Sequence, residues 1–285
     1  MHLKDYLTLA VPLAIRAGSA IEAVTREDLT ETEKDDGSPL TRADMASHHV
    51  IIKGLKGISP DKPILSEESV DSFVQQYPSP DSIISFWLVD PLDGTKEFIA
   101  GRDEYTVNIA LVEKEKPLLG VIYAPALDTL WFGAAEVGAY RIEHAAAAFS
   151  EHAQMDPTAC IAAKQMLLEE RTDNKRLVAV ASRSHPSPKT QEFLKKHNIE
   201  TVIYAGSSLK ICAVADGKAD VYPRFGPTCI WDTAAGAAIA NAAGCVVLNP
   251  ATRTPLKYVP QKEMLKVPEF IVCKPSFIGR LTNEA

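Results

Sequence analysis

The stretch Trp87-Leu-Val-Asp90-Pro-Leu-Asp93-Gly-Thr95 concentrates groups suited to chemistry. An apolar run delivers Asp90 to the end of a strand. Pro91 and Gly94 force a tight turn that carries Asp93 three residues further on. Two carboxylates held this close repel each other, and coexist only if one is protonated or a cation lies between them. Oxygen donors with an intervening carbonyl, that of Leu92, suit Mg²⁺. Thr95-Lys-Glu-Phe98 reads as a helix start whose free amides favour an anion such as phosphate. Read alone, the turn also fits a plain Asp-rich surface loop. Two more acidic sites weigh against that. Leu65-Ser66-Glu67-Glu68 is a second strand ending in acids, otherwise an exposed Glu pair. Trp231-Asp232-Thr-Ala-Ala-Gly236 places an acid at the start of a small-residue helix, otherwise a simple cap. Acids at strand ends or helix starts in three places predict a shared cluster of two or three metal ions, which serves phosphoryl transfer.

The second half supplies the complementary charges. Ser182-Arg183-Ser184-His185 ends a strand, Gly206-Ser207-Ser208-Leu-Lys210 sits where a strand passes into a helix, and Arg224 follows a third strand. Hydroxyls and cations at strand-to-helix turns are the groups expected around phosphate. The alternatives are a surface cap for His185 and a solvated helix charge for Lys210.

The elements that must position these groups follow from periodicity. Leu3, Leu7, Ala10, Ala14, Ala17 and Ile21 recur at helical spacing, with a kink expected at Pro12. Glu31 to Pro39 is a polar loop, after which Thr41 reads as an N-cap with Asp44 three residues on, continued by Val50, Ile51 and Leu55. Strands are expected over Pro63–Ser66, Phe86–Val89, Tyr105–Val112, Leu118–Tyr123 and Leu130–Phe132. Residues 143–175 change character and read as a connection between an N-terminal α+β domain (1–145) with most of the acids and a C-terminal α/β domain (146–285) with Asp232 and the cationic groups. There Leu177–Ser182 and Thr201–Tyr204 alternate with helices at Ser187–His197 and Ser208–Ala215, the α/β signature.

Composition sets the limits. The 285 residues are 46% hydrophobic and 24% charged, which excludes disorder, collagen and coiled coil for the whole chain. Thirty bases against 37 acids give −7, which argues against a nucleic-acid polymer as partner. The five cysteines have no Cys-x-x-Cys pair and are read as small buried apolar groups. No signal peptide and no transmembrane segment is visible. The cytoplasm is the expected compartment, with peripheral attachment at the inner membrane left open.

Asp90-Pro-Leu-Asp93-Gly-Thr95, Glu67-Glu68 and Trp231-Asp232-Thr-Ala-Ala-Gly236 together resemble the inositol monophosphatase superfamily of metal-dependent, typically lithium-sensitive phosphatases. Ser38-Pro-Leu-Thr41-x-x-Asp44, Thr95-Lys96-Glu97-Phe98, Gly206-Ser-Ser-Leu-Lys210 and Tyr222-Pro-Arg-Phe-Gly-Pro-Thr228 resemble its bacterial CysQ branch, the 3′(2′),5′-bisphosphate nucleotidases. The resemblance covers about residues 1–142 and 177–285. It implies a layered αβαβα sandwich with the site where two domains meet. It implies an ion at Glu67, Asp90 and the Leu92 carbonyl beside the attacking water, and another at Asp90, Asp93 and Asp232 near the leaving oxygen. Thr95, paired with Asp44, orients or deprotonates the water, and the amides of Gly94 and Thr95 hold the scissile phosphate. His185, Ser207, Lys210 and Arg224 contact a 5′-phosphate and nucleoside. The implied substrate is a small nucleotide bisphosphate, adenosine 3′,5′-bisphosphate, with its sulfated relative as a second candidate. The implied enzyme is a monomer or homodimer that works by direct water attack. An inositol monophosphatase or fructose bisphosphatase of the same fold is the first alternative, and a non-catalytic binding protein the second.

Overall fold

The computed structural model describes residues 1–24, 32–33, 39–79, 82–149, 176–183 and 187–282. Its core is a stack of five layers. The outermost layer pairs α1 (Leu3–Glu22) with α2 (Arg42–Ile58). Leu7, Ala10, Ala14, Ala17 and Ile21 of α1 are buried, the apolar stripe read from the sequence, and the helix runs on through Pro12. A two-residue ladder, β1 (Thr32–Glu33) with β2 (Pro39–Leu40), lies between them in sequence. Thr41 caps α2 in a full capping box: its hydroxyl accepts from Ala43 N, while its backbone N–H donates to Asp44 Oδ2 at 2.8 Å.

Below these helices lies a six-stranded sheet in the order β3 (Ile64–Ser66), β4 (Ser85–Asp93), β5 (Thr106–Glu113), β6 (Lys116–Ala124), β7 (Thr129–Ala134), β8 (Gly138–Glu143). Only β3 and β4 pair in parallel; the others form an antiparallel meander. Alternation along β4 sends Trp87 and Val89 to α1 and α2, and Phe86 and Leu88 to the opposite core. The turn from β5 to β6 places both Lys114 (φ 49°) and Glu115 (φ 64°) in the left-handed region, the twist a tight hairpin needs. The β8 strand, not expected from the sequence, ends where the connection 143–175 was read to begin. Its polar ends, Arg141 and Glu143, hid a short edge strand. The alanine run gives α5 (Ala145–Ala148), and most of the rest of the expected connection lies outside the described residues.

The second sheet holds β9 (Val178–Ser182), β10 (Thr201–Ala205), β11 (Val221–Arg224), β13 (Val246–Leu248) and β15 (Phe270–Cys273), in the order β10-β9-β11-β15-β13; β12 (Thr228–Cys229) and β14 (Lys266–Val267) form a separate ladder. Between the two sheets lie α7 (Leu209–Ala215) and α8 (Ile230–Ala242). The α8 helix is buried from Thr233 to Ala240 on every side, which explains a composition of Ala, Gly and Ile without amphipathic period. A Cβ at Gly120 of β6 would run into the Ala235 carbonyl, so glycine sets how closely sheet and helix approach. The outer face of the second sheet is covered by α6 (Pro188–Lys196) and α9 (Pro275–Thr282), with Phe193 and Phe277 on Val221 and Ile271. Helix, sheet, helix, sheet, helix is the αβαβα sandwich that the family resemblance implied. Among the described residues no helix is long and apolar enough to cross a membrane.

Candidate active site

Strand β4 does not end at Asp90, as the apolar run suggested, but continues through Asp93. Its register on β5 shifts in between: Asp90 lies opposite Asn108 and Asp93 opposite Thr106, so three steps of β4 match two of β5. This bulge kinks the strand at Pro91-Leu92, sends both acids toward one edge and leaves the Leu92 carbonyl outside the ladder. The Pro91 carbonyl is taken by Ser47 Oγ of α2 at 2.7 Å. Gly94 follows at φ 91°, where a Cβ would come within 2.9 Å of the Glu104 carbonyl, so no other residue closes this turn without strain.

Three acids then meet. Asp90, Asp93 and Asp232 each bring a carboxylate oxygen within 4.8 Å of the other two. Asp232 is the third residue of α8 rather than its cap. Its Oδ2 accepts from Cys229 N at 3.0 Å, so the backbone that opens the helix also aims the carboxylate. Burial is the first cause that pushes the Asp90 and Asp232 carboxyls well above the usual range; for Asp90 the charges of Glu67, Asp93 and Asp232 add to it, and for Asp232 those of Asp93 and Glu67. A hydrogen bond shared between Asp90 and Asp232 partly offsets the repulsion. Burial also raises Asp93, against the pull of Lys210, Ser207, the Ser208 amide and Asn108. Glu67 opens a 3₁₀ turn straight after β3, as the second acid-ended strand predicted. The set offers only oxygen donors, Asp90 buried and Glu67, Asp93 and Asp232 half-buried, whose mutual repulsion a hard divalent cation would relieve, so these residues fit Mg²⁺.

Asp44 and Thr95 are brought together as expected. Thr95 Oγ1 lies 3.1 Å from Asp44 Oδ1 and 3.2 Å from the Leu92 carbonyl, and it opens α4 (Thr95–Ile99). Asp44 is 1% exposed and held on its other oxygen by the Thr41 hydroxyl at 2.6 Å.

The acids border a cavity of about 220 Å³ lined by Glu67, Asp93, Gly94, Thr95 and Asp232 on one side and Ser207, Lys210 and Arg224 on the other. Lys210 is buried; desolvation lowers its ammonium to about 8, with Asp93 acting against the fall. Its Nζ donates to the Ser207 carbonyl at 2.5 Å and sits 5.9 Å over the Tyr222 ring. It is therefore no solvated helix charge. Arg224 is the last residue of β11, not a residue beyond it, and is braced by Nε to Thr228 Oγ1 (2.8 Å) and Nη2 to the Pro227 carbonyl (2.9 Å). A second cavity of about 370 Å³, lined by Leu194, Tyr204 and Phe225 among others, shares Ser182, Tyr222 and Arg224 with the first. His185 lies outside the described residues.

Sequence reasoning missed several groups. His48 is buried behind Glu67, its Nδ1 2.9 Å from Ser66 Oγ, and burial, with His49 adding to it, lowers it to about 4. Thr106 and Asn108 underlie Asp93, and Ser208 reaches both. The signal was present: two polar residues at alternate positions open the otherwise apolar run Thr106-Val-Asn108-Ile-Ala-Leu-Val112.

Known proteins share this arrangement. The model of the inositol monophosphatase family matches residues 2–278. The 3′(2′),5′-bisphosphate nucleotidase CysQ of Salmonella typhimurium is 43% identical over 256 residues, 89% of this chain and 94% of that protein. Its counterpart in Escherichia coli K12 is 42% identical over the same length. The crystal structure of CysQ from Bacteroides thetaiotaomicron superposes with a TM-score of 0.78 at 39% identity, over 95% of this chain and 97% of that one. A family match across nearly the whole chain, with acids from β4, the turn after β3 and α8 drawn to one cavity, leads to one assignment: the chain belongs to the inositol monophosphatase family.

Proposed function

We propose that this chain is a metal-dependent 3′(2′),5′-bisphosphate nucleotidase that removes the 3′-phosphate of adenosine 3′,5′-bisphosphate to leave AMP, and accepts the 5′-phosphosulfate analogue as a second substrate. The observation that carries the reading is a cavity with two unlike walls: a cluster of carboxylates faces Lys210 and Arg224. One phosphoryl group can react at the acidic wall while a second is gripped by the cationic wall. The adjoining cavity beyond Arg224 leaves room for a nucleoside. The 43% identical CysQ relative supports the same substrate class.

Glu67, Asp90, the Leu92 carbonyl, Asp93 and Asp232 would hold two or three Mg²⁺ ions. Bound there, the ions supply charge neutralisation at the phosphoryl oxygens and a more acidic water. The carboxylates of Glu67, Asp90, Asp93 and Asp232 carry −4 when ionised, a charge that two divalent ions balance, so an anionic substrate meets a near-neutral wall. The remaining work belongs to the chain. Thr95 Oγ1 orients the attacking water, with its own proton directed to Asp44 Oδ1. The amides of Gly94 and Thr95 hold the scissile phosphate in line, and no side chain is asked to form a covalent phosphoenzyme. Ser207, Lys210 and Arg224 fix the 5′-phosphate end, and His185 is assigned to the same end. The half 1–145 supplies Asp44, Glu67, Asp90, Asp93 and Thr95, and the half 146–285 supplies Asp232 and the groups that grip the second phosphate.

The test is phosphate release with Mg²⁺ from adenosine 3′,5′-bisphosphate, inositol 1-phosphate and fructose 1,6-bisphosphate at equal concentration. A strong preference for the nucleotide is expected. Preference for a sugar phosphate would discard the nucleotide pocket, and no release from any of the three would discard the enzyme.

A further inference from the structure

Asp93 Oδ2 meets groups from both halves of the chain: the Asn108 amide of β5 at 3.5 Å and the Ser207 hydroxyl from the turn after β10. Ser207 Oγ donates to Asp93 Oδ2 at 2.6 Å. Thr106 Oγ1 lies 2.5 Å from Ser207 Oγ and 2.8 Å from Ser208 Oγ, and Ser208 Oγ donates to Asn108 Oδ1 at 2.9 Å. Thr106 is fully buried and Asn108 nearly so. Each hydroxyl has one proton. With the Ser207 proton committed to the carboxylate, the Thr106 proton serves the short contact to Ser207, with Asn108 Oδ1 a second acceptor at 3.1 Å, and the Ser208 proton is shared between Thr106 and Asn108 Oδ1. The protons thus run in one direction, Thr106 to Ser207 to Asp93, and such chains strengthen cooperatively at low dielectric.

The turn that presents Ser207 is held for this contact. Ser207 has φ 48°, a left-handed conformation uncommon for serine. At Gly206, a Cβ would come within 2.9 Å of the Glu104 Cβ and carbonyl. Arg183 Nη2 ties the neighbouring strand to Glu104 Oε1 at 2.8 Å and to the Tyr204 carbonyl at 3.1 Å. The turn thus presents the Ser207 hydroxyl to Thr106 and Asp93 while the residue still lines the cavity beside Lys210.

We infer that Thr106 is a positioning residue for the metal centre: through the Ser207 hydroxyl, which serves Asp93 before any substrate, it fixes the rotamer of the Asp93 carboxylate and so sets the affinity of the ion that Asp93 holds. The inference rests on Asp93 being a metal ligand, as proposed above. A ligand oxygen held in advance binds more tightly because less rotamer freedom is lost on binding.

The test is a Mn²⁺ titration of the substrate-free protein by calorimetry, beside the Mg²⁺ dependence of turnover. Thr106→Val keeps the shape and removes the proton donor. It should weaken Mn²⁺ binding by up to about tenfold, the upper scale of one lost neutral hydrogen bond. It should raise the Mg²⁺ concentration for half-maximal rate by a similar factor, with KM for the nucleotide unchanged at saturating Mg²⁺. Thr106→Ser should restore both to within about threefold of the parent. Ser207→Ala, on a half-exposed turn, should reproduce the Mn²⁺ shift even if the buried valine fails to fold. Unchanged Mn²⁺ affinity in Ser207→Ala, or a Thr106→Ser protein as weak as the valine variant, would overturn the inference. Asp93→Asn separates the two readings: if it binds Mn²⁺ as tightly as the parent, the ligand assignment itself is wrong.

Discussion

Arg224→Ala tests the division of the cavity into a reacting wall and a recognising wall. The guanidinium has five N–H donors. Nε is spent on Thr228 and one Nη2 N–H on Pro227, which braces the side chain and leaves the outer edge of the fork for an anion. A charge-assisted hydrogen bond contributes about 1.5–3 kcal/mol, so loss of this edge should lower kcat/KM for adenosine 3′,5′-bisphosphate by roughly 10- to 150-fold. Adenosine 3′-monophosphate carries the same reacting 3′-phosphate and base but no second phosphate, so its kcat/KM should fall less than about threefold. Arg224→Lys keeps the charge without the planar fork and should fall between parent and alanine variant on the bisphosphate. The assay is phosphate release on both substrates with each protein at saturating Mg²⁺. An equal loss on both substrates would show that Arg224 only braces the 226–228 loop, and no loss on either would refute a 5′-phosphate contact altogether.

Three other outcomes follow from the geometry. Thr95→Val removes the hydroxyl that links Asp44 to the reacting wall; kcat should drop by about 10²–10⁴ with KM little changed, and a kcat within threefold of the parent would dismiss Thr95 as the water-orienting group. His48 is held near pKa 4 when folded against 6.5 when free. The unfolded chain therefore binds the extra proton between these values, and stability is lost as pH falls from 6.5 toward 4. In a chelator, the melting temperature of the parent should fall over this interval more steeply than that of His48→Gln, and parallel curves would contradict the assignment. Gly120→Ala drives a methyl into the Ala235 carbonyl, where no flexible side chain can yield. Overpacking of about 1–3 kcal/mol should lower Tm by roughly 2–12 °C, and an unchanged Tm would show that α8 can shift away from β6.

The sequence announced the reacting wall more fully than the recognising one. Asp90, Asp93, Gly94, Thr95 and Asp232 belong to short stretches where an apolar run, a turn former and an acid follow one another, so local chemistry alone marks them. Single elements were legible for the same reason, α1 by its one apolar stripe and β5 and β6 as strands, whereas the layering came only with the family resemblance. What could not be read depends on register. The bulge that carries β4 past Asp90 is visible only against β5, because the extra residue has meaning only relative to a partner. The roles of Ser207 and Ser208 were open for a similar reason. A Gly-Ser-Ser turn between a strand and a helix suits phosphate, yet its hydroxyls also reach across to Thr106, Asn108 and Asp93, partners about a hundred residues away in the chain. The strand β8 and the cap role of Cys229 escaped because their side chains carry no distinctive pattern.

A site of this kind has to lie between the sheets. Four carboxylates brought together on one surface would be screened by water and would hold ions weakly, whereas the same group buried in a single core would be too costly to fold without its ions. The cavity reconciles these demands. Asp90 is buried at the β4 bulge, while Glu67, Asp93 and Asp232 keep a face open to the cavity. The cations on the opposite wall come from the second sheet and α7 rather than from the acid-bearing strands. Lys210 lies close enough to moderate Asp93 but is tethered to the Ser207 carbonyl, so it does not collapse onto the carboxylates and fill the space that the phosphate must enter.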